Sequence, residues 1–127
     1  LASGRLVVLH DPGTQPGWNG EFRVVAQLRT QVDPEMGSDP LLGEAVWGWA
    51  LECLDDAGAQ VHDVTGTVTR EASESFGGLH LRGAALHVEL RASWTPATPD
   101  LGEHLVAWSD LLCRTSGITP SHYLEGV

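Results

Sequence analysis

DPLLGEAVWGWALECLDDAG at residues 39–58 and TPDLGEHLVAWSDLLCRTSG at residues 98–117 decide how this chain is read. Set 59 residues apart, they match Pro40 with Pro99, Leu42 with Leu101, Gly43 with Gly102, Glu44 with Glu103, Trp49 with Trp108 and Gly58 with Gly117. Asp39 and Thr98 carry the short oxygen-bearing side chains that cap free amides at a helix start. A proline in the next position loses no hydrogen bond there, and the glycines stand where a left-handed C-terminal cap is needed. Start and stop signals agree, so two helices of similar length are expected.

The segments before the helices match at an offset of 62, with GRLVV (4–8) over GTVTR (66–70) and FRVVAQLRT (22–30) over AALHVELRA (84–92). Phe22, Val24, Ala26 and Leu28 alternate with Arg23, Gln27 and Arg29, and Ala84, Leu86, Val88 and Leu90 with His87, Glu89 and Arg91, the period of half-buried antiparallel strands. The reading is a tandem ββα repeat, ββαββα. A hairpin cannot cover its own apolar face, so the economical fold is α+β: one four-stranded antiparallel sheet with both helices packed on the same side. Residues 1–127 form one domain, with repeat 1 at about 4–58, repeat 2 at about 64–117 and a surface tail at 118–127. Strand order is left open. DPGTQPGWNGE (11–21) reads as a long turn-rich loop.

The second helix shows one apolar stripe, Leu101, Leu105, Trp108 and Leu112. The first shows Leu42, Val46 or Ala45, Trp49 and Cys53, and a second stripe of Trp47, Leu51 and Leu54. Trp47 and Trp49 lie about 200° apart on a helix, so both cannot face the sheet. Trp47 either packs against the second helix or a loop, or it anchors a contact surface.

The formal charge is −10, and all seven basic residues are arginine. A phosphate backbone or an anionic membrane surface meets net repulsion, which disfavours nucleic acid and membranes as partners. No apolar run approaches the ~20 residues of a bilayer span. Cys53 and Cys113 have no CxxC or histidine-rich neighbourhood, which points to reduced thiols and a cytoplasmic protein. The chain starts at Leu1 rather than Met, leaving room for a preceding segment.

The sheet face away from the helices should present Arg23, Gln27 and Arg29, then Thr65, Thr67, Thr69 and Glu71, then His87, Glu89 and Arg91. Arginines on rigid strands are pre-positioned forks for carboxylates, so Arg29 and Arg91 are candidate binding residues. The stretch TREASESFGG (69–78) supplies Glu71, Ser73, Glu74 and Ser75, and His10 and Asp11 close the preceding hairpin's first strand. A serine nucleophile would need His10 or His87 as base, but no Gly-x-Ser-x-Gly elbow is present, so no catalytic residue is assigned. Gly77-Gly78 opens no helix and suits a turn or bulge better than a phosphate cradle. His10-Asp11 and His62-Asp63 lack the further clustered ligands of a metal site, so neither metal nor cofactor is expected.

GRLVVLHDP, DPEMGSDPLL, GTVTREASESFGGL, VELRASWTP and DLGEHLVAWSDLLC together resemble the actinobacterial "domain of unknown function 3000" family over nearly the whole chain. The lysine-free, alanine- and glycine-rich composition is similar to that of GC-rich actinobacterial genomes. The resemblance implies a bacterial cytoplasmic protein with no assigned activity, and family members with an additional N-terminal segment. The expectation is a non-enzymatic interaction module that binds a protein or itself through the polar sheet face or the Trp47 side. The alternative is a ligand binder or enzyme with its site at the end of the sheet near loops 11–21 and 71–83.

Overall fold

The computed structural model describes residues 2–77 and 84–116. Along the chain run β1 (Ala2–His10), β2 (Phe22–Val32), a 3-10 turn (Pro34–Met36), α1 (Leu42–Asp56), β3 (Val61–Glu74), β4 (Ala84–Pro96) and α2 (Gly102–Thr115). The strands form one antiparallel sheet in the order β1-β2-β4-β3. The α+β class and the four-stranded antiparallel sheet with two helices are as expected from the alternation. The two strongly alternating segments take the centre. Val24, Ala26, Leu28, Thr30 and Val32 of β2, with Leu86, Val88, Leu90, Ala92 and Trp94 of β4, turn one face inward and are buried. Both helices pack on that face.

Each helix follows a central strand yet lies against the edge strand of the other hairpin: α1 contacts β3 and α2 contacts β1. Glycines on the edges make this possible. A Cβ at Gly66 would stand 2.2 Å from the Trp47 ring, and one at Gly4 would stand 3.1 Å from Cδ2 of Leu112. Trp47 is therefore half-buried, its ring lying over β3 rather than over α2 or a loop.

The expected first-helix stripe of Leu42, Val46, Trp49 and Cys53 is buried, joined by Ala50 and Leu54. Gly58 ends this helix in the left-handed region at φ 74°. The Ala59 amide then donates to the Leu54 carbonyl and the Gly58 amide to that of Asp55, closing the turn in a Schellman arrangement. Three expectations are corrected. The helices start later than their cap signals at Asp39 and Thr98, at Leu42 and Gly102: the Asp39 carboxylate closes a turn on the Leu41 amide before α1, and Asp100 rather than Thr98 accepts from the first amide of α2, that of Gly102. The second helix is rotated from the expected stripe. Its buried residues are His104, Ala107, Trp108, Leu111 and Thr115, while Leu105 is 58% exposed. The cause is polar pairing inside the core: Trp94 Nε1 donates to His104 Nδ1 at 2.9 Å, and Thr30 donates to the Thr115 carbonyl at 2.9 Å. Finally, the second stripe of α1 is split, with Leu54 buried and Leu51 exposed. Gly78 and the tail at 118–127 lie outside the described residues.

Candidate functional site

No described helix or strand covers the outer face of the sheet; loop 11–21 lies over only its Arg23 and Thr95 end, and the strand register arranges the side chains of the face in rows. Arg5, Gln27, Arg91 and Thr67 form one row across β1, β2, β4 and β3. On one side of it lies the row Ser3, Arg29, Glu89 and Thr69. On the other lies Val7, Val25, Ser93 and Thr65. The expected outer residues Arg23, Gln27, Arg29, Thr65, Thr67, Thr69, Glu71, His87, Glu89 and Arg91 all occupy register positions of this face. Val7, Leu9 and Val25, each about two-fifths exposed, add an apolar patch toward the β1 edge.

Charges on the face are partly paired. Arg29 bonds Glu71 at 3.1 Å and approaches Glu89 at 3.8 Å, and Arg91 bonds Glu89 through Nε. The Arg91 hydrogen bond holds the Glu89 carboxyl below the usual carboxylate range. Arg5 makes no ion pair among the described residues. Arg23 is buried and donates to Ser93 Oγ at 2.8 Å and Thr95 Oγ1 at 2.9 Å. At the described register positions of this face stand four of the seven arginines and two acidic residues, Glu71 and Glu89, a formal +2 on a chain of −10, with Asp63 beside the end that carries Arg23. Two shallow concavities lie on this face, one of about 210 Å³ lined by Arg5, Val7, Val25, Ala26, Gln27 and Arg91. The other, about 400 Å³, is lined by Ser3, Gly4, Arg5, Gln27 and Arg29.

The remaining candidates are dispersed. Ser73 sits on the outer face at the far end of β3, opposite Ala85, with Glu74 following and Ser75 beyond the strand. His10 ends β1 and stacks on Phe22 with ring centroids 4.5 Å apart. The Asp11 carboxylate accepts from the Gly13 amide at 2.8 Å and from Gln15, and both bonds hold its pKa low. Loop 11–21 meets the start of β3, where Asp63 accepts from Asn19 at 3.1 Å and contacts His62 Nδ1 at 2.6 Å. A single site joining loops 11–21 and 71–83 is therefore corrected. The antiparallel docking of β2 on β4 sends the described part of 71–83 to the opposite end of the sheet. His10 cannot serve Ser73 as a base across that length.

A further concavity, about 490 Å³, lies on neither end loop but at the C-terminus of α1, lined by Leu51, Leu54, Asp55, Gly58, Ala59, Gln60 and Val61. Among the described residues no group of three or more His, Cys, Asp or Glu is placed to hold a metal ion. None of their helices is long and apolar enough to cross a membrane. Sequence reasoning missed Arg5, Val7 and Val25. Leu6 to Leu9 is a continuous apolar run whose outward members cannot be told by period, and Val25 interrupts the alternation of β2.

A family model described as "Protein of unknown function (DUF3000)" matches residues 1–125. No curated protein and no solved structure matches the chain. The chain belongs to the DUF3000 family, whose description assigns no activity.

Proposed function

We propose that this chain is a non-enzymatic interaction module that binds another protein, or a second copy of itself, over the open outer face of its sheet. The observation that carries the reading is the exposed apolar patch of Val7, Leu9 and Val25 beside unspent guanidinium groups on rigid strands. Apolar patches rimmed by polar groups are the usual form of a protein contact surface. Trp47 is the weaker of the two surfaces read from sequence, because its ring already lies over Gly66. Arg29, Arg91, Glu71 and Ser73 belong to the proposed surface. Glu74, Ser75, His10 and Asp11 stand at its two ends.

A reducing, cytoplasmic setting in an actinobacterial cell fits the two free thiols, Cys53 buried and Cys113 exposed, and the all-arginine composition. Duplication of one ββα unit is supported by the register: the 62-residue offset exchanges Leu28 with Leu90, which are direct cross-strand partners, and Gly4 with Gly66, each receiving a helix side chain.

The test is tagged purification from the native host together with light scattering, for wild type, Val25→Asp, Arg91→Ala and Trp47→Ala. Loss of association in Val25→Asp and Arg91→Ala, with unchanged circular dichroism, is expected. Association retained in both would defeat the reading.

A further inference from the structure

We infer that the open face takes a carboxylate-bearing segment of a different protein, seated between Arg5 and Arg91 above Gln27; this rests on the open-face reading above. The two arginines stand in one cross-strand row with a single strand between them, and both line the concavity of about 210 Å³ whose floor is Gln27 and whose apolar wall is Val7 and Val25. Arg5 has no acidic partner among the described residues. Arg91 engages Glu89 through Nε, which leaves its two terminal nitrogens for a second carboxylate. On the same face the Arg29–Glu71 and Arg91–Glu89 pairs already show carboxylates engaging these guanidiniums. An acidic segment would extend that ladder to Arg5.

Charge selects the occupant. The register positions of the face sum to +2 while the rest of the chain carries −12, so a long polyanion or an anionic membrane would meet net repulsion beyond the patch. A short acidic segment senses mainly what lies within the screening length of about 8 Å and meets the arginines. A face-to-face pairing of two copies would oppose positive to positive. Two interstrand spacings separate the Arg5 and Arg91 backbones by about 10 Å. A polyproline-type segment repeats its face every third residue at about 9.3 Å, so acids at every third position suit the row. Aliphatic residues between them would meet Val7 and Val25.

The probe is a fluorescein-labelled twelve-residue peptide with glutamate at every third position and valine or proline between, compared with its glutamine counterpart by fluorescence anisotropy. Wild type is expected to bind the glutamate peptide at least tenfold tighter than the glutamine peptide, with affinity falling as sodium chloride rises. Arg5→Gln/Arg91→Gln should lose that preference. Arg114→Gln, which removes a positive charge paired with Glu52 on the helical side, should keep it. Equal binding of both peptides, or a glutamate preference retained in the double variant, overturns the inference. So does self-association of the wild type that the double variant abolishes. If Val25→Asp releases a partner from the purified protein while the peptides show no preference, the acidic ligand fails and the open-face reading stands.

Discussion

Gly66→Ala probes the packing that fixes α1 on the sheet. Gly66 is not in the left-handed region, so its backbone accepts alanine, but the new Cβ would lie 2.2, 2.8 and 2.9 Å from Cζ3, Cη2 and Cε3 of Trp47. Ordinary carbon contacts begin near 3.5 Å, so the ring must retreat by roughly 1.3 Å. Overpacking of this kind costs about 1–3 kcal/mol. Replacing a strand glycine returns about 0.5–1 kcal/mol of chain entropy. The net expectation is a loss of about 1–2 kcal/mol. With Trp47→Ala in the background the obstruction is gone, and Gly66→Ala should become neutral or stabilising by about 0.5 kcal/mol. The coupling between the two sites is then about 1–3 kcal/mol, the size of the clash itself. Urea unfolding followed by far-ultraviolet circular dichroism on all four chains measures it without depending on tryptophan emission. The same cost for Gly66→Ala with and without Trp47 would refute the reasoning.

Stability should fall as pH drops below about 6.5. His104 is buried with its pKa lowered chiefly by desolvation, so below the unfolded value the unfolded chain takes up a proton that the folded chain refuses. The loss continues until the folded pKa is reached, and urea midpoints at pH 7.5 and 5.5 should converge in His104→Leu. That variant should also lose about 1–3 kcal/mol at pH 7.5, because the Trp94 indole N–H is left without an acceptor in the core. Gly58→Ala should cost about 1 kcal/mol by forcing a Cβ into the left-handed cap, while Gly48→Ala, on the exposed side of α1 with open space around it, should gain about 1 kcal/mol. Equal unfolding midpoints for these two variants would show that the cap geometry is not what holds the end of α1.

How much of this was readable follows from which residues carry a periodic signal. Alternation in FRVVAQLRT and AALHVELRA marks the two strands that bury one face and meet water with the other, and those are the central pair. The edge strands carry less of it. β1 has Val7, Val8 and Leu9 all exposed in succession, and β3 is mostly hydroxyl and charged residues. Strand order depends on how two hairpins dock, which no local pattern encodes. The rotation of α2 was hidden for a related reason: His104 and Thr115 look like surface residues until Trp94 and Thr30 are brought beside them. The outer-face residues were legible as a set, because alternation fixes parity. Arg5 was not, since its role depends on standing in register with Gln27 and Arg91.

The division of labour between the two faces makes binding separable from folding. Outer-face charges such as Arg5, Arg29 and Arg91 are exposed or half-exposed, and exposed ion pairs are worth about 0–1 kcal/mol, small against the 5–15 kcal/mol that holds a domain of this size. Arg23 is the exception. It is buried beneath the edge of loop 11–21, its guanidinium is held by two hydroxyls and no carboxylate among the described residues, and Thr95 passes the contact on to the Trp18 carbonyl. Arg23→Leu would strand Ser93 and Thr95 without their donor and release the loop from the sheet, at a cost of about 1–3 kcal/mol. Arg5→Gln should leave the unfolding midpoint within about 0.5 kcal/mol of wild type. If Arg5→Gln unfolded the chain as readily as Arg23→Leu, Arg5 would be part of the fold's own bonding, and its unpaired charge could not be reserved for a partner.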